Sequence, residues 1–210
     1  MVYEYWFACI KNISDRKKKK LREAYGCGKK IYYIEETQLK MKNFLTEKDI
    51  ECIKEAQKMK NLEEEYQNMK EKGIQLILYD SESYPKKLRE LTDAPYALYV
   101  KGTLPDEKRP SVAIIGARRC SNYGEGQALE YGKHLAAAGV QIISGMALGI
   151  DGAGHRGALN GNGTTYGVLG CGVDVCYPRE NIGLYMDIQK SGGIISEQRP
   201  GEPPMSYYFP

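Results

Sequence analysis

The chain has 210 residues, long enough for one good-sized domain with a smaller one beside it, and 42% hydrophobic residues, 27% charged residues and 23 glycines exclude a disordered or collagen-like polymer. Its net charge of +3 resides in residues 1–80, with 17 Lys+Arg against 14 Asp+Glu, so the second half carries no general basic field and must bind any nucleic acid through a few placed bases. No stretch approaches the roughly 18 apolar residues of a spanning helix, and "MVYEYWFACI" has no signal-peptide pattern, so a cytoplasmic protein without membrane association is expected.

In chain order, residues 1–72 read as a small all-α domain. In "IKNISDRKKKKLREAYGCG", Ser14 is a candidate N-cap of a basic helix and Gly26 and Gly28 are stop signals. On a helix the run from Arg16 to Lys20 spreads over most of the circumference, which favours a solvated face over a DNA-binding stripe. A second amphipathic pattern sets Leu45, Ile50, Ile53, Ala56 and Met59 at helical spacing and ends at Gly73.

Residues 73–210 read as the larger domain. Ile74 to Leu78 and Ala97 to Val100 are short strand-like runs. From residue 110 the chain alternates: "PSVAIIGA" strand, "NYGEGQALEYGKHLAAAG" helix, "VQIIS" strand, "DGAGHRGALNGNG" helix, "TTYGVLG" strand, "NIGLYMDIQKSG" helix, "GIIS" strand. Such alternation with continuous apolar strands implies an α/β fold, with a mainly parallel sheet covered on both faces in a Rossmann-like, doubly wound arrangement.

In that arrangement a ligand lies beyond the carboxyl ends of the strands, where the turns "GARRCSNYG", "SGMALGID", "GCGVDVCYPREN" and "SEQRPGEPP" meet. Amides at such turns favour anions, and phosphate is the natural guess, with Gly145 and Gly149 allowing close approach and Arg118 and Arg119 supplying charged contacts. The glycines could equally serve tight turns and close packing alone. Tyr123, Tyr177, Tyr207 and Tyr208 near the cleft could stack on bases. No strand runs into an intact G-x-G-x-x-G and there is no G-K-[ST], so no nucleotide cofactor is expected. Asp151 and His155 share a helix face with Arg156 beside them, but a metal would need a third ligand. A helix cap at Asp151 and a hydrogen-bonded interior His155 account for the pair better than catalysis does. The six cysteines form no C-x-x-C pair and read as reduced thiols.

The runs "YPKKLRELTDAPYALYVKG", "VAIIGARRCSNYG", "IISGMALGIDGAGHRGAL", "YGVLGCGVDVCYPREN" and "GGIISEQRPGEPPMSYYFP" resemble, in order and spacing, the DNA-processing protein A family (DprA, also called Smf). The resemblance covers residues 74 to 210, and the N-terminal helices look like that family's sterile-alpha-motif-like domain. It implies a protein that is not an enzyme and has no cofactor, binds single-stranded DNA without sequence preference in DNA uptake, natural transformation and recombination, and assists loading of the recombinase RecA as a homodimer. The family's G-[SA]-R turn falls on Gly116, Ala117 and Arg118. Its S-G-x-A-x-G-I-D-x-x-x-H segment falls on Ser144, Gly145, Ala147, Gly149, Ile150, Asp151 and His155, and its G-C-G-x-D-x-x-Y-P-x-x-N segment on Gly170, Cys171, Gly172, Asp174, Tyr177, Pro178 and Asn181.

From these we expect phosphate and DNA contacts at Gly116, Ala117, Arg118, Arg119, Ser144, Gly145, Gly149, Gly170, Gly172, Tyr177 and Asn181. Asp151, His155, Asp174 and Pro178 are expected to support the turns. Members of the family continue past the final "FP" with an R-N-R-I-I-A-G-L-S type segment and often a winged-helix domain, so a core without its C-terminal part is expected. "KNIS" stands where a DNA-binding helical hairpin would place a glycine turn, so no DNA binding is expected of the N-terminal domain. Rossmann-like relatives that cleave nucleotide N-glycosidic bonds are the alternative class, with Asp151, His155 or Glu197 as catalytic groups, although their P-G-G-x-G-T-x-x-E run is absent.

Overall fold

The structure, a computed structural model, describes residues 1–209, and its chain forms two compact units. One comprises Met1–Lys72 with Leu76–Ala97, the other Gly73–Gln75 with Leu98 onward. Residues 76–97, which the sequence reading places in the larger domain, therefore cluster with the helices. Phe7 meets the Tyr96 ring edge-on at 5.2 Å, and Tyr84 and Tyr96 are almost wholly buried.

The helical unit contains α1 (Val2–Cys9), α2 (Asp15–Tyr25), α3 (Gly28–Tyr32), α4 (Glu36–Lys40), α5 (Glu47–Gln57) and α6 (Leu62–Glu71). Trp6, Phe7, Leu21, Ile31, Leu39 and Ile53 form its interior, and the buried Trp6 indole donates to the Ala56 carbonyl at 2.8 Å, as a buried ring N–H requires. Ser14 is the N-cap of α2, and Gly26 ends that helix at φ 80°, where a side chain would be strained. Gly28, expected as a second stop, instead opens α3. The long amphipathic pattern breaks into α5 and α6, which are separated at Lys58 and Asn61.

Four of the five bases in the basic run have partners inside this unit. Lys17 pairs with Asp49 at 2.5 Å, Lys18 is buried with its ammonium on the Ala8 carbonyl at 2.7 Å, and Lys19 and Lys20 lie over the Tyr79 and Phe44 rings. Burial holds Lys18 below the ordinary lysine pKa, with Asp15 and Cys9 pulling the other way. Arg16 and Lys20 stay exposed on α2.

At the start of α5 a capping box joins Thr46 and Asp49. The Thr46 amide donates to Asp49 Oδ2 at 2.7 Å, and the Asp49 amide donates to Thr46 Oγ1 at 3.3 Å. Thr46→Ala is expected to destabilise the chain by about 1 kcal/mol. A urea midpoint equal to that of the parent would show that the Thr46 hydroxyl adds nothing to the hold of Lys17 and the residue 46 amide on Asp49.

The remaining elements are β1 (Ile74–Leu78), α7 (Lys86–Arg89), β2 (Ala97–Gly102), β3 (Ser111–Ala113), α8 (Asn122–Ala137), β4 (Gln141–Ser144), α9 (Ile150–Asn160), β5 (Thr165–Leu169), α10 (Ile182–Ser191) and β6 (Gly193–Ser196). The strands form one six-stranded sheet in the order β1-β2-β6-β5-β4-β3. From β3 to β6 the pairs are parallel, in the registers Val112↔Ile142, Ile142↔Thr165 and Tyr166↔Gly193, while β2 runs antiparallel to β6. The fold is thus α/β and Rossmann-like with a mainly parallel sheet, as the alternation implies.

Each crossover from β3 through β6 steps to the next neighbour in the same direction, so right-handed connections place α8, α9 and α10 along one face. Ile142, at 0% exposure, packs there against Ala136 of α8 and Ala158 of α9. The two helices approach closely because Gly132 has no side chain: a Cβ there would lie 3.1 Å from the Ala158 amide nitrogen. On the opposite face Ala113, Ile115 and Val168 are exposed, so among the described residues the expected cover of both faces is incomplete over β3 to β5.

Candidate functional site

Because β3, β4, β5 and β6 are parallel, their carboxyl ends lie together, and the turns that follow them come to one end of the sheet. There a cavity of about 470 Å³ is lined by Arg118, Gly145, Ala147, Leu148, Tyr177, Pro178, Arg179, Glu180 and Phe209. Its walls hold two arginines against one glutamate, two aromatic rings, Leu148 and Pro178, and one turn of backbone, a net positive combination that suits an anionic ligand with a flat apolar part. Of the residues expected from sequence, Arg118, Gly145, Tyr177 and Pro178 reach this lining.

The others stand behind or beside it. Arg119 is exposed outside the lining, and Ala117 contributes its carbonyl to the Ile150 amide at 3.3 Å. Ser144 is 3% exposed and donates to the Ile114 carbonyl at 2.5 Å, so its hydroxyl is turned inward rather than toward a ligand. Asn181 donates from Nδ2 to the carbonyls of Met146 at 2.8 Å and Ala147 at 3.3 Å, which clamps the β4 turn. That clamp matters because Met146 is a non-glycine residue at φ 63°, a conformation held here by its complete burial and by Asn181.

The glycines serve close approach. Gly149, at φ 74°, lies against the Ala117 and Arg118 carbonyls, and a Cβ on Gly116 would strike Ile150. Gly170 lies beside the Tyr208 carbonyl and the Phe209 ring, and Gly172 beside the Arg199 carbonyl. These contacts bring residues 199–209 to the turn after β5 and so deliver Phe209 to the cavity, 5.7 Å from the Tyr177 ring. Asp174 accepts the Gly201 amide at 2.6 Å and fastens the same two segments.

Asp151 does not cap α9, whose N-cap is Gly149 without a side-chain bond, but reaches back to two other turns. Asp151 accepts the Gly116 amide at 3.2 Å on Oδ1 and the Gly145 amide at 3.0 Å on Oδ2. His155, at 0% exposure, places Nδ1 2.6 Å from Thr165 Oγ1, and burial lowers its pKa to about 4 against the opposing pull of Asp151 and the Ser144 backbone. Neither residue lines the cavity.

Sequence reasoning missed Arg179 and Phe209. Arg179 could have been found as the base that follows Tyr177-Pro178, whereas Phe209 carried no local signal because only the chain's return past Gly170 and Gly172 brings it in. Tyr123 and Tyr207 are exposed, at 76% and 70%, but lie outside the lining.

A mainly parallel sheet with glycine turns, arginines and aromatic rings gathered at the carboxyl ends of its parallel strands defines a Rossmann-like α/β protein with a candidate ligand site there. Within that class, residues 75–210 match the DNA recombination-mediator protein A family, and the chain belongs to it. Protein Smf of Borreliella burgdorferi is 37% identical over 174 residues, covering 79% of this chain and 55% of that protein. Protein Smf of Escherichia coli is 40% identical over 136 residues, covering 64% of this chain and 36% of that one. The chain thus spans about half, or less, of the length of these relatives.

Among solved structures, DNA processing protein A from Streptococcus pneumoniae superposes with a TM-score of 0.80 at 28% identity, over 99% of this chain and 71% of that one. DNA processing protein A from Helicobacter pylori, described for its single-stranded DNA binding mode, superposes with a TM-score of 0.56 at 31% identity, over 65% of this chain and 60% of that one.

Proposed function

We propose that this chain binds single-stranded DNA without sequence preference and acts in DNA uptake, natural transformation and recombination, where it assists the loading of RecA. The observation that carries the reading is the cavity at the strand ends, where Arg118 and Arg179 share one lining with Tyr177 and Phe209. A strand phosphate pairs with Arg118 while a neighbouring base lies against the Tyr177 and Phe209 rings, a mode indifferent to sequence because every base has a flat face. Gly116, Gly149, Gly170, Gly172 and Asn181 shape the turns, and Arg119 adds charge at the rim. The single-stranded DNA binding named for the Helicobacter pylori relative supports the same ligand. A sterile-alpha-motif-like role for residues 1–72, a homodimer and a place in the cytoplasm belong to this reading, which includes no cofactor and no catalytic step.

The test is fluorescence anisotropy of a labelled oligo-dT at two salt concentrations. Arg118 is exposed and makes no ion pair among the described residues, so Arg118→Ala leaves the fold intact. The variant is expected to bind about tenfold more weakly, with a salt slope shallower by about 1. An unchanged affinity would remove Arg118 from the site.

A further inference from the structure

The Asp151 carboxylate stands where a bound anion would be expected. It is 6% exposed, and its two oxygens accept amides from the turns after two neighbouring strands, Gly116 after β3 and Gly145 after β4. No lysine or arginine bonds to it among the described residues, so backbone N–H groups and the first turn of α9 hold its charge.

We propose that Asp151 is the built-in occupant of an anion hole formed by the Gly116 and Gly145 amides. As a positioning residue it shuts that hole to phosphate, and it leaves Arg118 with the Ala147 and Leu148 amides as the anion position open to a ligand. The second half of this inference rests on the DNA-binding reading; the first half does not. Both amides already donate to the carboxylate, so a second anion would find neither a free N–H group nor a cation to offset Asp151. By contrast, the Ala147 and Leu148 amides donate to nothing among the described residues, and both residues share the cavity lining with Arg118. The carboxylate also ties the ends of β3 and β4 together, and so fixes where Arg118 and residues 147–148 stand relative to each other.

Asp151→Ala empties the hole without filling it, so a small carboxylate from solution can take the vacant place. The melting temperature of this variant is expected to rise by about 3 °C or more in roughly 100 mM sodium formate relative to the same concentration of chloride. The parent chain and Asp151→Asn, whose hole stays filled, are expected to respond equally to the two salts. Equal responses in Asp151→Ala would overturn the proposal, because a carboxylate with a merely structural role leaves no site for formate. Should Asp151→Ala fail to fold, amide exchange in the parent chain decides. Gly116 and Gly145 are expected to stay protected when inorganic phosphate is added, while the Ala147 and Leu148 resonances move. Gly116 and Gly145 amides that exchange freely and shift with phosphate would refute the idea. None of these readouts uses DNA, so failure of the DNA-binding reading is seen separately.

Discussion

Gly149→Ala is expected to destabilise the sheet unit by about 3 kcal/mol, read as a lowered urea midpoint at unchanged slope. Two costs combine at this residue. The backbone sits at φ 74°, where an L side chain is strained by roughly 1–2 kcal/mol, and a Cβ would press on the Ala117 carbonyl and lie 2.8 Å from that of Arg118. The obstructing atoms are backbone, held in turn by the Ile150 amide on the Ala117 carbonyl, so they cannot rotate away as a side chain would. Gly126 supplies the control: it lies within α8 with nothing inside 4 Å of a built Cβ, so Gly126→Ala is expected to stabilise by about 0.5–1 kcal/mol. A loss below about 1 kcal/mol in Gly149→Ala would mean that the turn bearing Arg118 yields, and that its position is not fixed by packing on α9.

Acidification is expected to weaken the fold through His155. Its folded pKa of about 4 lies below the ordinary 6.5, first because burial penalises the imidazolium, with Asp151 and the Ser144 backbone opposing. The unfolded chain therefore binds more protons than the folded chain between these two values, and stability rises with pH across that window. The contribution is fully present above about pH 6.5 and is lost as pH falls toward 4, on the order of 3 kcal/mol in all. Urea midpoints between pH 4 and pH 7 test this when set beside His155→Gln, which is less stable at neutral pH but has a flatter profile across the window. Identical slopes in the two proteins would place the acid sensitivity elsewhere.

The two residues show why the site was only partly legible. Gly149 and His155 stand out in the sequence as members of a glycine-rich run, and their position at the β4 turn and on α9 follows from the alternation of apolar strands with helices. What each does depends on neighbours far along the chain. Gly149 answers to the carbonyls of residues 117 and 118, His155 to Thr165, and Ser144, expected at a phosphate, is held inward by the Ile114 carbonyl. No local pattern distinguishes a hydroxyl that faces a ligand from one that caps a neighbouring strand's carbonyl, because both need the same short polar residue at a strand end.

By itself the sequence determined the fold class, the order and nature of the elements from β3 to β6, and which turns come to one end of the sheet. Hydrophobic periodicity and the constraint of parallel crossovers are properties of neighbouring residues. Only the tertiary structure decided which groups are left for a ligand. It spent Lys17 to Lys20 of α2 on Asp49, Ala8, Tyr79 and Phe44, gave the Gly116 and Gly145 amides to Asp151, and brought Phe209 to Tyr177 across 32 positions of chain. Each outcome depends on which partner lies nearest in space, and a hydrogen bond or ring contact fixes that only once strands distant in sequence have been set side by side.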